Sequence, residues 1–124
     1  MRVFAYFNLH KRLYSIKALE GPDKGRVVAH RASLLIRDAT LKVSEAGRQR
    51  VIRERCKNVH AGVCGTWHDE QATADAVAII GNAVMYNPYK YSTFVMMVNE
   101  QPVTHAELVA LTLNKGKASM HVCL

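Results

Sequence analysis

No apolar run in the chain approaches the roughly 18 residues that a membrane-crossing helix needs. No continuous hydrophobic stretch follows Arg2 either, so the sequence leads one to expect neither a membrane span nor a secretory leader. Cysteine is scarce and odd in number. Cys56, Cys64 and Cys123 are too scattered for a disulfide framework, which fits a soluble protein of a reducing, cytoplasmic compartment. Internal repeats, linker-like segments, a helix-turn-helix pair, an RNA-binding sheet motif and any enzyme signature are missing as well. The nearest thing to a phosphate-cradling glycine loop, Gly21-Pro22-Asp23-Lys24-Gly25, lacks the closing Lys-Ser/Thr and reads as a turn. No cofactor is implied.

What is present is an ordinary globular balance of 49% hydrophobic and 22% charged residues, which excludes disorder. The 124 residues make one domain, 1–124, long enough to bury about two thirds of its unfolded surface. The net charge of +7 is distributed unevenly. Residues 1–60 hold 14 Lys and Arg against 5 Asp and Glu, a surplus of 9; residues 61–124 hold 3 against 5, a deficit of 2. If the two halves stay apart in the fold, one side of the molecule is positive.

The densest part of that surplus is the stretch from Ser44 to Asn58. Ser44 is a good N-cap, Glu45 suits the positive end of the helix dipole, and Arg53, Arg55 and Lys57 suit its negative end. A helix over 44–57 is therefore expected, with Asn58 ending it in a left-handed conformation. Val51, Ile52 and Cys56 form its apolar stripe, while Ala46, Arg50, Arg53 and Lys57 line the opposite face. Arg48 and Arg55 fall together and interrupt the apolar side. A charged helix face is in most proteins simply solvated. Here the charge segregation points further, to Arg48, Arg50, Arg53, Arg55 and Lys57, with Lys24 and Arg26 of the glycine-proline turn, as contacts for DNA or RNA phosphates.

Around the helix, short alternating segments read as strands. They cover 2–9, 13–19, 26–31 and 34–43, the last with a bulge or break at Asp38-Ala39, and 58–67 after the helix. Residues 69–80 favour helix on propensity, although 77–84 could instead be a strand running into Met85-Tyr86. Strands at 94–98, 107–113 and 118–122 complete the set, the last two joined as a hairpin across Asn114-Lys115-Gly116-Lys117. The class is α+β: a curled antiparallel sheet or small barrel, with the helix 44–57 packed on it.

Three further groups invite chemistry. Cys56, His60, Cys64 and His68 recur every four residues and are the right types for zinc. That spacing covers about 13 Å on a strand, however, and offers no Cys-x2-Cys turn, so no metal site is expected. Cys64, His68 and Asp69 could serve a small hydrolase or transferase only if they meet in one pocket, and nothing in their order demands it. Catalysis is therefore the weaker expectation. Between Tyr86 and Phe94, Tyr86, Tyr89 and Tyr91 surround Pro88 and Lys90. Such a loop caps a sheet, stacks on unpaired bases, or anchors a protein interface.

At Lys42-Val-Ser-Glu-Ala-Gly-Arg-Gln-Arg-Val-Ile-Arg-Glu-Arg, at Lys57-Asn-Val-His-Ala-Gly and at Tyr86-Asn-Pro-Tyr-Lys-Tyr, about half the chain in all, the sequence resembles small accessory proteins of tailed bacteriophages. The resemblance carries over no site. It implies a basic protein of the host-cell cytoplasm that binds nucleic acid or host protein machinery. Two functions are thus expected in turn: a non-enzymatic nucleic-acid binder using the cationic helix, and an inhibitor or adaptor docking on a host protein complex through the tyrosine loop. Self-association is compatible with both.

Overall fold

The chain, described here by a computed structural model of all residues from Met1 to Leu124, folds around a single sheet. In sequence order its elements are β1 (Arg2–Asn8), β2 (Leu13–Ala18), β3 (Val27–Arg31), β4 (Leu34–Val43), α1 (Glu45–Glu54) and β5 (Ala61–Trp67). There follow α2 (Gln71–Ile80), β6 (Asn82–Met85), β7 (Val95–Met96), β8 (His105–Asn114) and β9 (Lys117–Cys123). The nine strands lie in the order β3-β2-β1-β5-β4-β8-β9-β6-β7, every neighbouring pair antiparallel.

The alternation that predicted strands also decides which face is buried. Val3 and Ala5 of β1, Ile16 of β2, Leu34, Ile36 and Leu41 of β4, Val63 of β5, Val109 and Leu111 of β8 and Val122 of β9 point inward to one 17-residue core. A sheet this long can bury such a face only by curling over itself. The side chain that locks the curl is Tyr14, whose hydroxyl crosses from β2 to donate to the Thr112 carbonyl (2.7 Å) and accept from the Ser119 amide (3.2 Å). Burial raises its pKa. β3 and β7 nevertheless remain edges, so of the two expected shapes the curled sheet stands and the barrel is corrected. At Asp38 (φ 48°) the β4 register shifts, the bulge returning Ala39 and Leu41 to the inner face.

Residues 69–80 take the helical option as α2, and it is this helix that packs on the sheet. Ala74 and Val77 bury against Leu35 of β4 and Ala110 of β8, on the outer face where the two halves of the sheet adjoin. The expectation for residues 44–57 needs correction on both length and packing. α1 ends at Glu54, with Arg55 as its left-handed cap (φ 52°), and Val51 is its one buried residue. The early stop follows from the chain's return. The Ser44 amide donates to the His60 carbonyl (2.7 Å), which lays His60 across Gly47, where a Cβ would come within 2.6 Å of the His60 Cβ. Cys56, Lys57 and Asn58 therefore lie in the connection that leads back to His60 rather than in the helix. Ser44 does cap the start, accepting from the Gly47 amide at 3.2 Å. The strand expected at 94–98 shrinks to two residues, whereas β8 and β9 form the expected hairpin. Its two-residue turn places Lys115 and Gly116 at positive φ, a conformation in which glycine carries no steric cost.

Candidate functional site

The strand order answers the question that the charge distribution raised. β3, β2, β1, β5 and β4 adjoin one another, so residues 2–67 form one contiguous half of the sheet and residues 82–123 the other. The basic surplus is therefore on one side. Within it, several cations are already engaged. Arg31 meets Asp69 (3.1 Å) and stacks on Trp67, Arg37 is bidentate to Glu70 (2.8 and 2.7 Å), and Arg50 pairs with Glu54 (3.2 Å). The hydrogen bonds from Arg37 hold the Glu70 carboxyl below its usual range. Lys11, Lys17, Lys42, Arg53, Arg55 and Lys57 have no acidic partner.

Of the cations singled out from sequence, Arg53, Arg55 and Lys57 are exposed together at the end of α1. Arg48 is not with them. Its guanidinium is turned into the protein, donating to the carbonyls of Pro88 (2.9 Å) and Tyr91 (2.8 Å) and to Glu45 (2.9 Å), with the side chain only 16% exposed. Hydrogen bonds from Gln49 and then Arg48 lower the Glu45 pKa. Lys24 and Arg26 lie in the β2–β3 turn beside Arg2, at the end of β1 and β2 opposite to α1, so a strand length of roughly 20 Å separates them from Arg53. The seven cations thus do not form one surface: Lys24 and Arg26 lie at one end, Arg50, Arg53, Arg55 and Lys57 at the other, and Arg48 with neither.

The tyrosine loop is joined to α1. In a neutral His60 ring, Nδ1–H donates to the Asn58 carbonyl (2.8 Å), which leaves Nε2 to accept from the Tyr86 hydroxyl (2.7 Å). Tyr86 packs on Phe94, and burial raises its pKa. The Tyr91 hydroxyl donates to Glu100, and Lys90 pairs with Glu100 (3.0 Å) and lies over the Tyr91 ring. Hydrogen bonds from Tyr91 first and Lys90 second lower the Glu100 pKa, while Glu100 raises that of Lys90. Tyr89 alone of the three tyrosines keeps an open ring, 56% exposed.

Cys64, His68 and Asp69 do not converge. Cys64 is buried within β5, His68 is exposed beyond its end, and the Asp69 carboxylate is held by Arg31. Cys56 is exposed after α1 and His60 is bound to Tyr86; no three His, Cys, Asp or Glu side chains are grouped to hold a metal ion.

The sequence reading passed over the outer face of the basic half. There β1 presents Phe4 and Tyr6, their rings stacked at 5.8 Å and 28°. Lys17 stands directly opposite Phe4 on β2, and Lys42 of β4 stands opposite Gly62 of β5. The Phe4 ring lies on Gly62, where a Cβ would come within 2.5 Å of it. Phe4, Tyr6 and Lys17, with Asn8, Leu9, His10, Lys57, Asn58 and Val59 as further walls, line an open groove of about 480 Å³ that contains no carboxylate. The signal was in the sequence: β1 carries aromatics on both faces, and only one face can enter the core.

Comparison with known proteins gives a family. Residues 1–119 match the family model described as Mycobacterium phage L5 gene 82 protein. The chain is 40% identical over 118 residues to the gene 82 protein of Mycobacterium phage L5, covering 90% of each. No solved structure matches. With nearly its whole length matched, the chain belongs to the family of the mycobacteriophage L5 gene 82 protein, a bacteriophage protein family.

Proposed function

We propose that the protein is a non-enzymatic nucleic-acid binder acting through the basic half of its sheet. One observation carries this reading: cations without acidic partners gather at the α1 end and on the outer face of five adjoining strands, around a groove with no acidic side chain. Such a surface meets phosphates with little regard to sequence, and its affinity falls steeply with salt. Arg53, Arg55 and Lys57 are its cations at the helix end, with Lys17 and Lys42 on the sheet. Filter-binding titration against salt tests it. Replacing Arg53, Arg55 and Lys57 by Gln flattens the log–log slope by about 2 to 3 units if each meets a phosphate; an unchanged slope removes them from the surface.

A protein partner is the second reading, supported by a separate feature. Ile79 and Ile80 end α2 with exposures of 83% and 77%, and Met97 and Val98 are 55% and 83% exposed. The Met97 amide donates to Ala83, which sets this pair beside the start of β6, close to the end of α2. These side chains and Tyr89 are available to a host protein complex or to a second copy. A discrete complex that survives nuclease during affinity purification favours this reading over the first.

A further inference from the structure

Resting on the polyanion reading above, we propose that the outer-face groove seats single-stranded nucleic acid, with bases on the Phe4–Tyr6 pair and phosphates on Lys17 and Lys57. Residues at i and i+2 of a strand share a face, so β1 fixes the two rings side by side without help from a loop. Glycine at position 62 gives Phe4 a flat floor, because any side chain there would meet the ring or the Ala5 carbonyl, each 2.5 Å from a built Cβ. α2 does not cover the rings: it packs across β4, β8 and β9 rather than over β1 and β2. The phenol of Tyr6 makes no hydrogen bond within the protein.

Charge and size then choose the occupant. Lys17 and Lys57 flank the rings with no ion-pair partner, and the walls add only amide, imidazole and aliphatic groups. The volume of about 480 Å³ is that of a site for a small planar group with its attached sugar rather than for a folded chain. Aromatic faces beside unpaired cations suit unpaired bases, whose π-faces stack while their phosphates meet the lysines. A duplex keeps its bases stacked inside and offers this groove phosphates alone.

The test compares oligothymidylate, oligouridylate and a DNA duplex of equal length by fluorescence anisotropy across a salt series, using the full chain. The single strands bind more tightly than the duplex. Phe4→Leu and Tyr6→Leu, which keep an apolar cover over Gly62 but remove the aromatic face, each weaken single-strand binding by about 5- to 150-fold at unchanged salt slope. Lys17→Gln and Lys57→Gln instead each lower the slope by about 0.7. Melting curves confirm that all four variants are folded, and photocrosslinking of 5-iodouridine to Tyr6 supplies a readout independent of affinity. Equal binding of single strand and duplex, with both leucine variants unaffected, overturns the groove while leaving the polyanion reading in place. No binding of any probe at low salt overturns both. The ratio of oligouridylate to oligothymidylate affinity identifies the strand as RNA or DNA.

Discussion

Arg48 offers the sharpest separation between a structural and a binding role, because the sequence alone grouped it with Arg53. Replacing Arg48 by Gln removes charge-assisted hydrogen bonds to two loop carbonyls, Pro88 and Tyr91, and frees Glu45. Each such bond contributes about 1.5–3 kcal/mol when shielded from water, and leaving the two carbonyls unmatched gives a loss of roughly 2–4 kcal/mol. With an unfolding entropy of about 2.1 cal/mol/K per residue, a chain of 124 residues loses about 8–15 °C of Tm. Arg53→Gln, at an exposed site with no partner, changes Tm by less than about 2 °C. The two variants should behave oppositely in the salt titration, Arg53→Gln flattening the slope and Arg48→Gln leaving it. Differential scanning fluorimetry and filter binding on both proteins provide the assay, with amide hydrogen exchange over residues 86–94 to localise the loosening. If Arg48→Gln melts like the wild type and flattens the slope as Arg53→Gln does, then Arg48 meets phosphate and its link to the loop does not hold α1 in place.

Other consequences follow from single contacts. Tyr14→Phe removes the hydroxyl that bridges β2 to the β8–β9 hairpin, and urea unfolding should show a loss of about 2–4 kcal/mol; an unchanged midpoint would mean that the curl closes without it. Gly62→Ala drives a methyl against the Ala5 carbonyl, which cannot rotate away, so a destabilisation of about 1–3 kcal/mol is expected in the same assay, together with a displaced Phe4 ring. Glu70 has a depressed pKa in the folded state. Its contribution is therefore complete above the ordinary glutamate value near 4.3 and disappears as pH falls through the lower folded value. Stability of Glu70→Gln relative to wild type, measured from pH 7 down to about 2, should show a constant deficit above about pH 5 that closes in acid; a deficit independent of pH refutes the ion pair as its source.

Local signals carried the strands because period-2 alternation is written residue by residue: Val3, Ala5 and Val63, Val109, Val122 all reach the core. The start of α1 was legible in Ser44, whose cap needs only neighbouring residues. Its end was not, because the contact of His60 with Gly47 joins segments on either side of the helix terminus, and a left-handed Arg55 is no signal of its own. The curl of the sheet depends on Tyr14 meeting Thr112 and Ser119, about a hundred residues away in sequence, which no window of neighbours contains. At the candidate site, charge segregation was readable by counting, but which guanidinium faces water was not. Arg48 and Arg55 share a side of the helix in sequence, yet only Arg48 is turned inward, because a loop 40 residues on returns to it. Phe4 and Tyr6 were passed over for a related reason: an aromatic in a strand is ordinarily core, and only the placement of α2 leaves this part of the outer face bare.

The division of the sheet into a strongly positive portion and a nearly neutral one gives the molecule a permanent electric dipole. In the field of any strongly negative polymer such a particle turns before it touches, so its first encounters are made with strands β1 to β5 leading. The trailing portion, with its exposed isoleucines and Met97, then faces away from the polymer. A surface decorated with many copies would accordingly show the surroundings a nearly uncharged, oily side.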